Sequence, residues 1–169
     1  LADEGRGIAL SATAELKAIL RLERLPEKIV CFDVSNVQGK HAVASKVSFY
    51  RELADKLEYR RYRIRSVRGI NDYAMIQEAL RRMLIGIREG REYFIPDIIL
   101  IDGGLGQLSA AAKVLEQEGF GDIRLLALAK KFETVYDRSS KRAVPFSPGS
   151  PVLRLFQKIR DEAHRFAVS

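Results

Sequence analysis

The sequence predicts an α/β fold in which one mixed sheet is flanked by helices. Short segments rich in β-branched and aromatic residues alternate with longer segments whose apolar residues recur every three or four positions. Two late segments are continuous apolar runs, which are typical of strands buried on both faces. With 169 residues, of which 47% are apolar, the chain is long enough to bury the core of one domain.

The first part of the chain contains one helix and three strands. The helical spacing of apolar residues ends at Pro26, so we expect a leading helix and linker over residues 1–27 and the main domain over residues 28–169. Three strand-like runs follow: KIVCFDVS, HAVASKVSFY and KLEYRRYRIRS. Because their connections are short, they predict an antiparallel meander.

The second part of the chain alternates helices and buried strands. Helices are predicted in NDYAMIQEALRRMLIGI, after a cap at Asn71, in LSAAAKVLEQEG, and in VLRLFQKIRDEAHRFAV, after a cap near Ser150. Strands are predicted in PDIILID and DIRLLALA. Between the last strand and the last helix, FETVY can pair with RAVPF as a small extra hairpin.

The resulting order, βββαβαβα, is that of the ribonuclease H-like fold. By analogy with that fold, we expect a mixed five-stranded sheet of three antiparallel strands followed by parallel strands, with helices on its faces and the hairpin as an addition. In this arrangement the first strand lies beside the fourth. The order of the elements alone assigns no function.

Two aspartates interrupt apolar strands: Asp33 within VCFDVS and Asp102 at the end of IILIDGG. If the first and fourth strands are neighbours, the two carboxylates lie close together and can bridge a divalent cation such as Mg²⁺ or Mn²⁺. A metal held in this way supports hydrolysis of a phosphodiester. Either aspartate taken alone could instead cap a turn, but an unpaired charge in an apolar strand is costly.

The segment IDGGLGQ after the fourth strand permits a second interpretation, as a phosphate cradle at a helix N-terminus. It matches neither a GxGxxG nor a GK[ST] motif, so a nucleotide-binding ATPase is disfavoured. We expect the glycines to let the turn approach the site closely while Asp102 stays accessible.

His164, one of two histidines, falls on the border of the apolar stripe of the final helix. This periodicity by itself favours an ordinary boundary residue. In the ribonuclease H-like arrangement, however, the final helix passes close to the strand that carries Asp33. His164 could then complete an Asp-Asp-His site with Asp102, as a neutral ligand or as a general base. His41, beside the QGK turn, suggests no comparable role.

The chain is basic, with 29 Lys and Arg against 22 Asp and Glu and a formal charge of +7. This balance suits a partner with phosphate groups, although charge alone is weak evidence. Strand alternation in RRYRIRSVR places Arg61, Arg63 and Arg65 on one face, which predicts a basic stripe. The candidates for contacts to a DNA backbone are Arg61, Arg63, Lys130, Lys131 and Arg160.

The single cysteine, Cys31, lies in an apolar run, and we expect it to be part of the core. One cysteine excludes an internal disulfide and a metal site built from several cysteines, which fits a reducing, cytoplasmic location. No apolar stretch reaches the length of about 18 residues that a membrane span requires. Because the chain opens on Leu1 rather than Met, we expect it to be part of a longer protein.

Several stretches together resemble one family: CFDVSN, AVAS, EYRRYRI, NDYAMIQEALRR, PDIILIDGGLGQL, LALAKK and LRLFQKIRDEAHRFA. From about Lys28 to Ser169 they are similar, in this order, to the C-terminal endonuclease domain of UvrC, the incision subunit of bacterial nucleotide excision repair. The resemblance implies a ribonuclease H-like nuclease with an Asp-Asp-His site, which corresponds to Asp33, Asp102 and His164 in this sequence.

The resemblance also implies a further site residue, partners and a reaction. An additional acidic position of the family falls on Asp72, with a metal-related or structural role. UvrC proteins act on lesion-containing double-stranded DNA with the damage-verifying helicase UvrB, and this domain makes the cut on the 5′ side. The GIY-YIG domain that makes the 3′ cut and the tandem helix-hairpin-helix module have no counterpart in this sequence. We therefore expect weak DNA affinity from this chain alone.

One position departs from the family pattern. A basic residue usually follows the glycine pair, and here the residue is Leu105, which places any phosphate contact there in doubt. The alternative function is a non-catalytic module that keeps the fold and the basic stripe but only docks DNA or a partner protein. The intact acidic pair with His164 argues against this alternative.

Overall fold

The computed structural model describes residues 11–37, 41–65, 71–92, 94–130 and 134–169. The helices of this part are α1 (Ser11–Leu20), α2 (Asp72–Arg88), α3 (Leu105–Gln117) and α4 (Pro151–Val168). The strands are β1 (Lys28–Val37), β2 (His41–Tyr50), β3 (Leu53–Ala54), β4 (Arg60–Arg63), β5 (Ile98–Asp102), β6 (Arg124–Ala129), β7 (Thr134–Asp137) and β8 (Arg142–Ala143). A short 3₁₀ helix, Lys56–Glu58, precedes β4.

The strands form one mixed sheet with the order β3-β2-β1-β5-β6-β7-β8, and β4 also pairs with β2. β2 runs antiparallel to both β1 and β4, whereas β5 and β6 run parallel to β1. The expected meander is therefore confirmed. The expected adjacency of β1 and β5 is confirmed as well, with Phe32 opposite Ile101. This is the ribonuclease H-like arrangement that the order of elements predicts.

The sheet has eight strands rather than five, because the hairpin joins it and a further short strand is added. β7 and β8 form the expected hairpin, and β7 extends the sheet by pairing antiparallel with β6. The two-residue β3 pairs with the end of β2. β4 (Arg60–Arg63) is shorter than KLEYRRYRIRS, the run that predicts it. The Arg60 guanidinium donates to the carbonyls of Leu57 (2.8 Å) and Tyr59 (2.9 Å), which stabilises the preceding 3₁₀ turn.

Helices cover both faces of the sheet. α2 and α3 pack on one face, in a core that includes Phe32 and Leu80. α1 and α4 pack on the other face, in a second core that includes Leu16 and Phe156. Cys31 belongs to this second core and is fully buried, as expected. Because α1 shares the core with α4, the leading helix packs directly against the sheet domain.

Side chains cap the helices where the sequence predicts caps. The Asn71 side chain accepts a hydrogen bond from the Ala74 amide (3.1 Å) at the start of α2. The Ser150 hydroxyl accepts one from the Leu153 amide (3.2 Å) at the start of α4. None of the helices in the described ranges is long and apolar enough to cross a membrane.

A cluster of charged side chains lies on the face that packs against α2 and α3. The Nζ of Lys46, whose side chain is only 2% exposed, is 3.4 Å from Oε2 of Glu92. Arg60 lies 3.6 Å from the other Glu92 oxygen, and Lys28 lies 3.6 Å from Glu58. We call these five residues the ionic cluster. Burial lowers the pKa of Lys46, and the charge of Glu92 partly offsets this effect.

Candidate active site

The pairing of β1 with β5 brings the two predicted aspartates together. Phe32 and Ile101 are opposite each other in the parallel ladder, so Asp33 and Asp102 follow at the same level on adjacent strands. Neighbouring strands are about 4.8 Å apart. Both aspartates alternate with residues of the α1 and α4 core, and they therefore lie on the side of the sheet that α4 covers.

Asp102 lies in surroundings that disfavour its negative charge. Its Oδ1 is buried and has no hydrogen-bond partner among the described residues. Burial raises the pKa of Asp102, the negative charge of Asp33 raises it further, and the positive charges of Lys130 and Arg160 counteract this increase. A buried carboxylate oxygen without a partner costs free energy, so this position favours a bound cation.

His164 lies beside the aspartate pair, on α4. Its Nδ1 is 3.4 Å from Oδ2 of Asp33, and its side chain is 70% exposed, whereas that of Asp33 is 13% exposed. The position on the border of the apolar stripe lets the rest of α4 pack in the core while this imidazole faces the sheet edge. The structure thus brings Asp33, Asp102 and His164 to one place.

A cleft of about 430 Å³ opens next to this group. The residues that line it include both aspartates and five further polar or glycine positions: Asp72, Gly103, Gly104, Gln107 and Lys130. Asp72 is exposed at the first residue of α2. Among the described residues, however, no three His, Cys, Asp or Glu side chains are already arranged around one point as metal ligands. Metal binding therefore stays a proposal.

The glycines after β5 allow two close approaches at the cleft. A Cβ on Gly103 would lie 2.7 Å from Cγ of Gln107, and one on Gly106 would lie 2.7 Å from Cζ of Tyr73. The second contact joins the start of α3 to the start of α2, next to Asp72. The glycines therefore allow close packing around the site, in which Asp102 stays partly exposed.

Gln107 is a cleft residue that the sequence pattern did not single out. Its Oε1 accepts a hydrogen bond from the Gly104 amide (3.0 Å), which satisfies a free donor at the start of α3. α3 consequently begins at Leu105, before Leu108, where its apolar spacing begins. A glutamine three positions after a helix cap is a known capping signal, and it could have identified this residue.

The predicted basic stripe is exposed as the alternation requires, but Arg61 is engaged within the chain. Arg61 and Arg63 are exposed, and Tyr62 between them is buried. The Arg61 guanidinium stacks 4.0 Å from the centre of the Phe166 ring and donates to the Phe166 carbonyl (2.9 Å). It also donates to the hydroxyl of Ser169. Arg61 therefore stabilises the end of α4.

The other basic candidates occupy different positions. Arg63 has no side-chain partner among the described residues. Lys130 lines the cleft, and Arg160 lies on α4 with a side chain that is 18% exposed. Lys131 lies outside the described residues. Lys130 and Arg160 are thus the basic candidates whose charges act on Asp102.

The sheet order and the grouped aspartates and histidine define a ribonuclease H-like domain of the nuclease class. The family model described as the UvrC RNase H endonuclease domain matches residues 17–168. The chain therefore belongs to the family of UvrC RNase H endonuclease domains.

Curated relatives agree with the family model. The chain is 45% identical over 159 residues to the UvrABC system protein C of Dictyoglomus thermophilum, a match that covers 94% of this chain and 26% of that protein. It is 42% identical over 158 residues to the UvrABC system protein C of Chlorobaculum tepidum, with 94% and 25% covered. The chain spans about a quarter of the length of these relatives.

Solved structures with a similar backbone are endonucleases V. A Ciona intestinalis endonuclease V in complex with inosine-containing DNA aligns with a TM-score of 0.47 and 16% identity, over 62% of this chain and 46% of that one. Human ENDOV aligns with a TM-score of 0.45 and 20% identity, over 73% and 58%.

Proposed function

We propose that this chain is a metal-dependent DNA endonuclease domain that makes the 5′ incision next to a lesion in bacterial nucleotide excision repair. It would act as one part of a longer UvrC protein, on a complex of UvrB with damaged double-stranded DNA. The observation that carries the proposal is the buried, unpartnered Oδ1 of Asp102 beside Asp33 and His164. The membership of the UvrC endonuclease family supports it.

The donor set at the cleft fits Mg²⁺ or Mn²⁺. Asp33 and Asp102 offer carboxylate oxygens, which these ions prefer, and the Asp102 oxygen lacks another partner within the described chain. His164 and Asp72 are further candidate ligands at the rim. When bound, the cation would lower the pKa of a water molecule and stabilise negative charge on the phosphate oxygens.

His164 can also act as the general base. A proton on Nδ1 is favoured by the nearby Asp33 carboxylate, which leaves the lone pair of Nε2 free to accept a proton. The exposed imidazole can then pass that proton to solvent. Asp33 would orient the ring in this role, as carboxylates do for histidines in many hydrolytic sites.

Contacts to DNA would come from basic residues near the cleft. Lys130 lines the cleft, Arg160 lies on α4, the helix that carries His164, and Arg63 lies on the exposed side of β4. Lys131 completes the set as a sequence-based candidate, and Arg61 contributes only if it leaves Phe166. Because phosphate contacts release counterions, the affinity for DNA should fall steeply as the salt concentration rises.

The test is Mg²⁺-dependent 5′ incision of a lesion-bearing duplex that is already nicked on the 3′ side. A full-length UvrC protein with this domain is assayed with UvrB, as wild type and as His164→Ala, and DNA binding is measured in parallel. His41→Ala is the control of the same residue type. We expect His164→Ala to bind DNA but to lose incision. Normal incision by this variant would refute the mechanism, and the absence of incision by the wild type would support a docking module.

A further inference from the structure

One polar side chain of the cleft has no part in the mechanism above. Gln107 lines the cleft together with Asp33, Asp102 and Lys130. Its side chain is partly buried, so it belongs to the cleft wall rather than to the outer surface. Its cap of α3 uses only the amide oxygen, which leaves the amide nitrogen without a role.

The hydrogen bond to the backbone fixes the direction of the Gln107 amide. The Gly104 N–H is a donor only, so it selects Oε1 and excludes the flipped amide. Within the described part of the chain, Nε2 has no hydrogen-bond partner. Two N–H donors of Gln107 therefore remain available at the cleft wall.

The aliphatic part of Gln107 is held in place as well. A Cβ on Gly103 would lie 2.7 Å from both Cγ and Cδ of Gln107, so the side chain packs directly on the backbone of this glycine. Gly103 has a φ of 157°. A donor that is already fixed by packing and by a backbone hydrogen bond loses little conformational entropy when a ligand binds.

We propose that Gln107 contacts the DNA substrate directly, by donating a hydrogen bond from Nε2 to a non-bridging oxygen of a phosphodiester within about two nucleotides of the cut. This inference rests on the proposed endonuclease function. The amide nitrogen offers donors only, and phosphate oxygens are acceptors only. A neutral amide also forms no ion pair with Asp33 or Asp102, so its donors stay available to DNA where a lysine would pair with the acids.

One substitution with a matched charge control separates this contact from the cap of α3. Gln107→Glu keeps an oxygen for the Gly104 amide and nearly the same shape, but it removes both donors. Leu105→Glu is the matched control, because it adds the same charge in the same helical turn at an exposed position. Gln107→Met removes the donors without adding a charge, although it also removes the oxygen that caps α3. Thermal unfolding of each variant reports any loss of the cap.

The decisive measurement is a methylphosphonate scan in a full-length UvrC protein with UvrB. Each phosphate within two nucleotides of the cut is replaced in turn, as separate diastereomers, and DNA binding in Ca²⁺ and single-turnover incision in Mg²⁺ are measured. We expect both Gln107 variants to lose about tenfold in binding and in incision, whereas Leu105→Glu loses much less. At one phosphate, the methylphosphonate should weaken DNA binding and incision by the wild type by a similar factor. The same replacement should not weaken binding or incision by the Gln107 variants any further.

Additive effects of the variant and the replacement at every phosphate would overturn the contact, because a purely structural role of Gln107 would affect all substrates equally. If the wild type binds DNA but does not cut it, the proposed function fails, and the binding scan still decides the role of Gln107. If the wild type does not bind DNA at all, both proposals are overturned.

Discussion

The two faces of the sheet hold buried charge in different ways. On the face that packs against α2 and α3, the buried Lys46 lies 3.4 Å from Glu92, and Lys28 lies 3.6 Å from Glu58. On the face that packs against α1 and α4, Asp102 has a buried oxygen without a hydrogen-bond partner in the described part of the chain. After burial, the strongest influence on its pKa is the like charge of Asp33, which raises the pKa of Asp102.

This difference separates structural charge from functional charge. Charged groups that are buried with an opposite charge are compensated within the fold, and breaking such a pair is costly. A buried carboxylate oxygen that has no hydrogen-bond partner and lies beside a like charge is retained against its cost, which points to a ligand outside the chain. We therefore assign the ionic cluster a structural role, and the Asp33–Asp102 pair is the proposed cation site.

The largest expected effect is on incision. Asp33→Asn and Asp102→Asn should each lower the single-turnover rate of 5′ incision by about 10³-fold, equivalent to about 4 kcal/mol, because each removes a carboxylate charge from the cation site. Asp161→Asn, at an exposed position on α4, is the control and should cut normally. Full activity of either site variant would show that the unpaired carboxylates have no catalytic role.

The next effect is on stability, on the other face. Glu92→Gln should destabilise the protein by about 3 kcal/mol in denaturant titrations, because Lys46 and Arg60 lose their buried partner. Glu89→Gln removes an exposed ion pair with Arg91 and should cost less than about 0.5 kcal/mol. Adding Lys46→Met to Glu92→Gln should recover part of the loss. Equal costs of the two glutamate substitutions would contradict the assigned role of the ionic cluster.

A smaller effect of opposite sign is expected for Asp102. Without divalent cations, Asp102→Asn should stabilise the protein by about 1 kcal/mol, or roughly 2–4 °C in Tm, because it removes a destabilised charge. The difference in the free energy of unfolding between Asp102→Asn and the wild type should be absent below the ordinary aspartate pKa of 3.8. It should grow as the pH rises through the raised pKa of Asp102, because the wild type then carries the disfavoured charge. In the presence of Mn²⁺ the wild type should become more stable than Asp102→Asn, because the wild type gains stability from binding the ion.

The smallest effect concerns the exposed arginines. The logarithm of the DNA-binding constant should fall linearly with the logarithm of the salt concentration. Arg63→Ala should reduce the steepness of this slope by about one, the expected effect of losing one phosphate contact. Arg61→Ala should leave that slope unchanged and should lower the Tm instead, because its guanidinium stacks on Phe166. The reverse result would show that the exposed face of β4 binds DNA through Arg61.

The element order and the aspartate pair could be predicted from the sequence because strong local patterns carry them. The apolar runs around Asp33 and Asp102 predict strands, and the carboxylates are unusual within those runs. The number of strands could not be predicted in the same way. β3 has only two residues, and the hairpin joins the sheet through long-range contacts such as the ion pair between Arg124 and Asp137 (2.7 Å).

The remaining site features depend on distant parts of the chain. The spacing of apolar residues in α4 places His164 on a border, but only the packing of α4 on the sheet puts it 3.4 Å from Asp33. Alternation in β4 predicts that Arg61 is exposed, but it does not show that Phe166 lies over its guanidinium. Gln107 is the exception, because its cap on the Gly104 amide is a local signal that an apolar period does not include.

Asp33, Asp102 and His164 are proposed to form one site for a divalent cation. The most direct test is a calorimetric titration of Mn²⁺ into the wild type, Asp102→Asn and the control Asp161→Asn. We expect the wild type and the control to bind Mn²⁺ with the same affinity and Asp102→Asn to bind at least about tenfold more weakly. Equal Mn²⁺ affinity of all three proteins would contradict the claim.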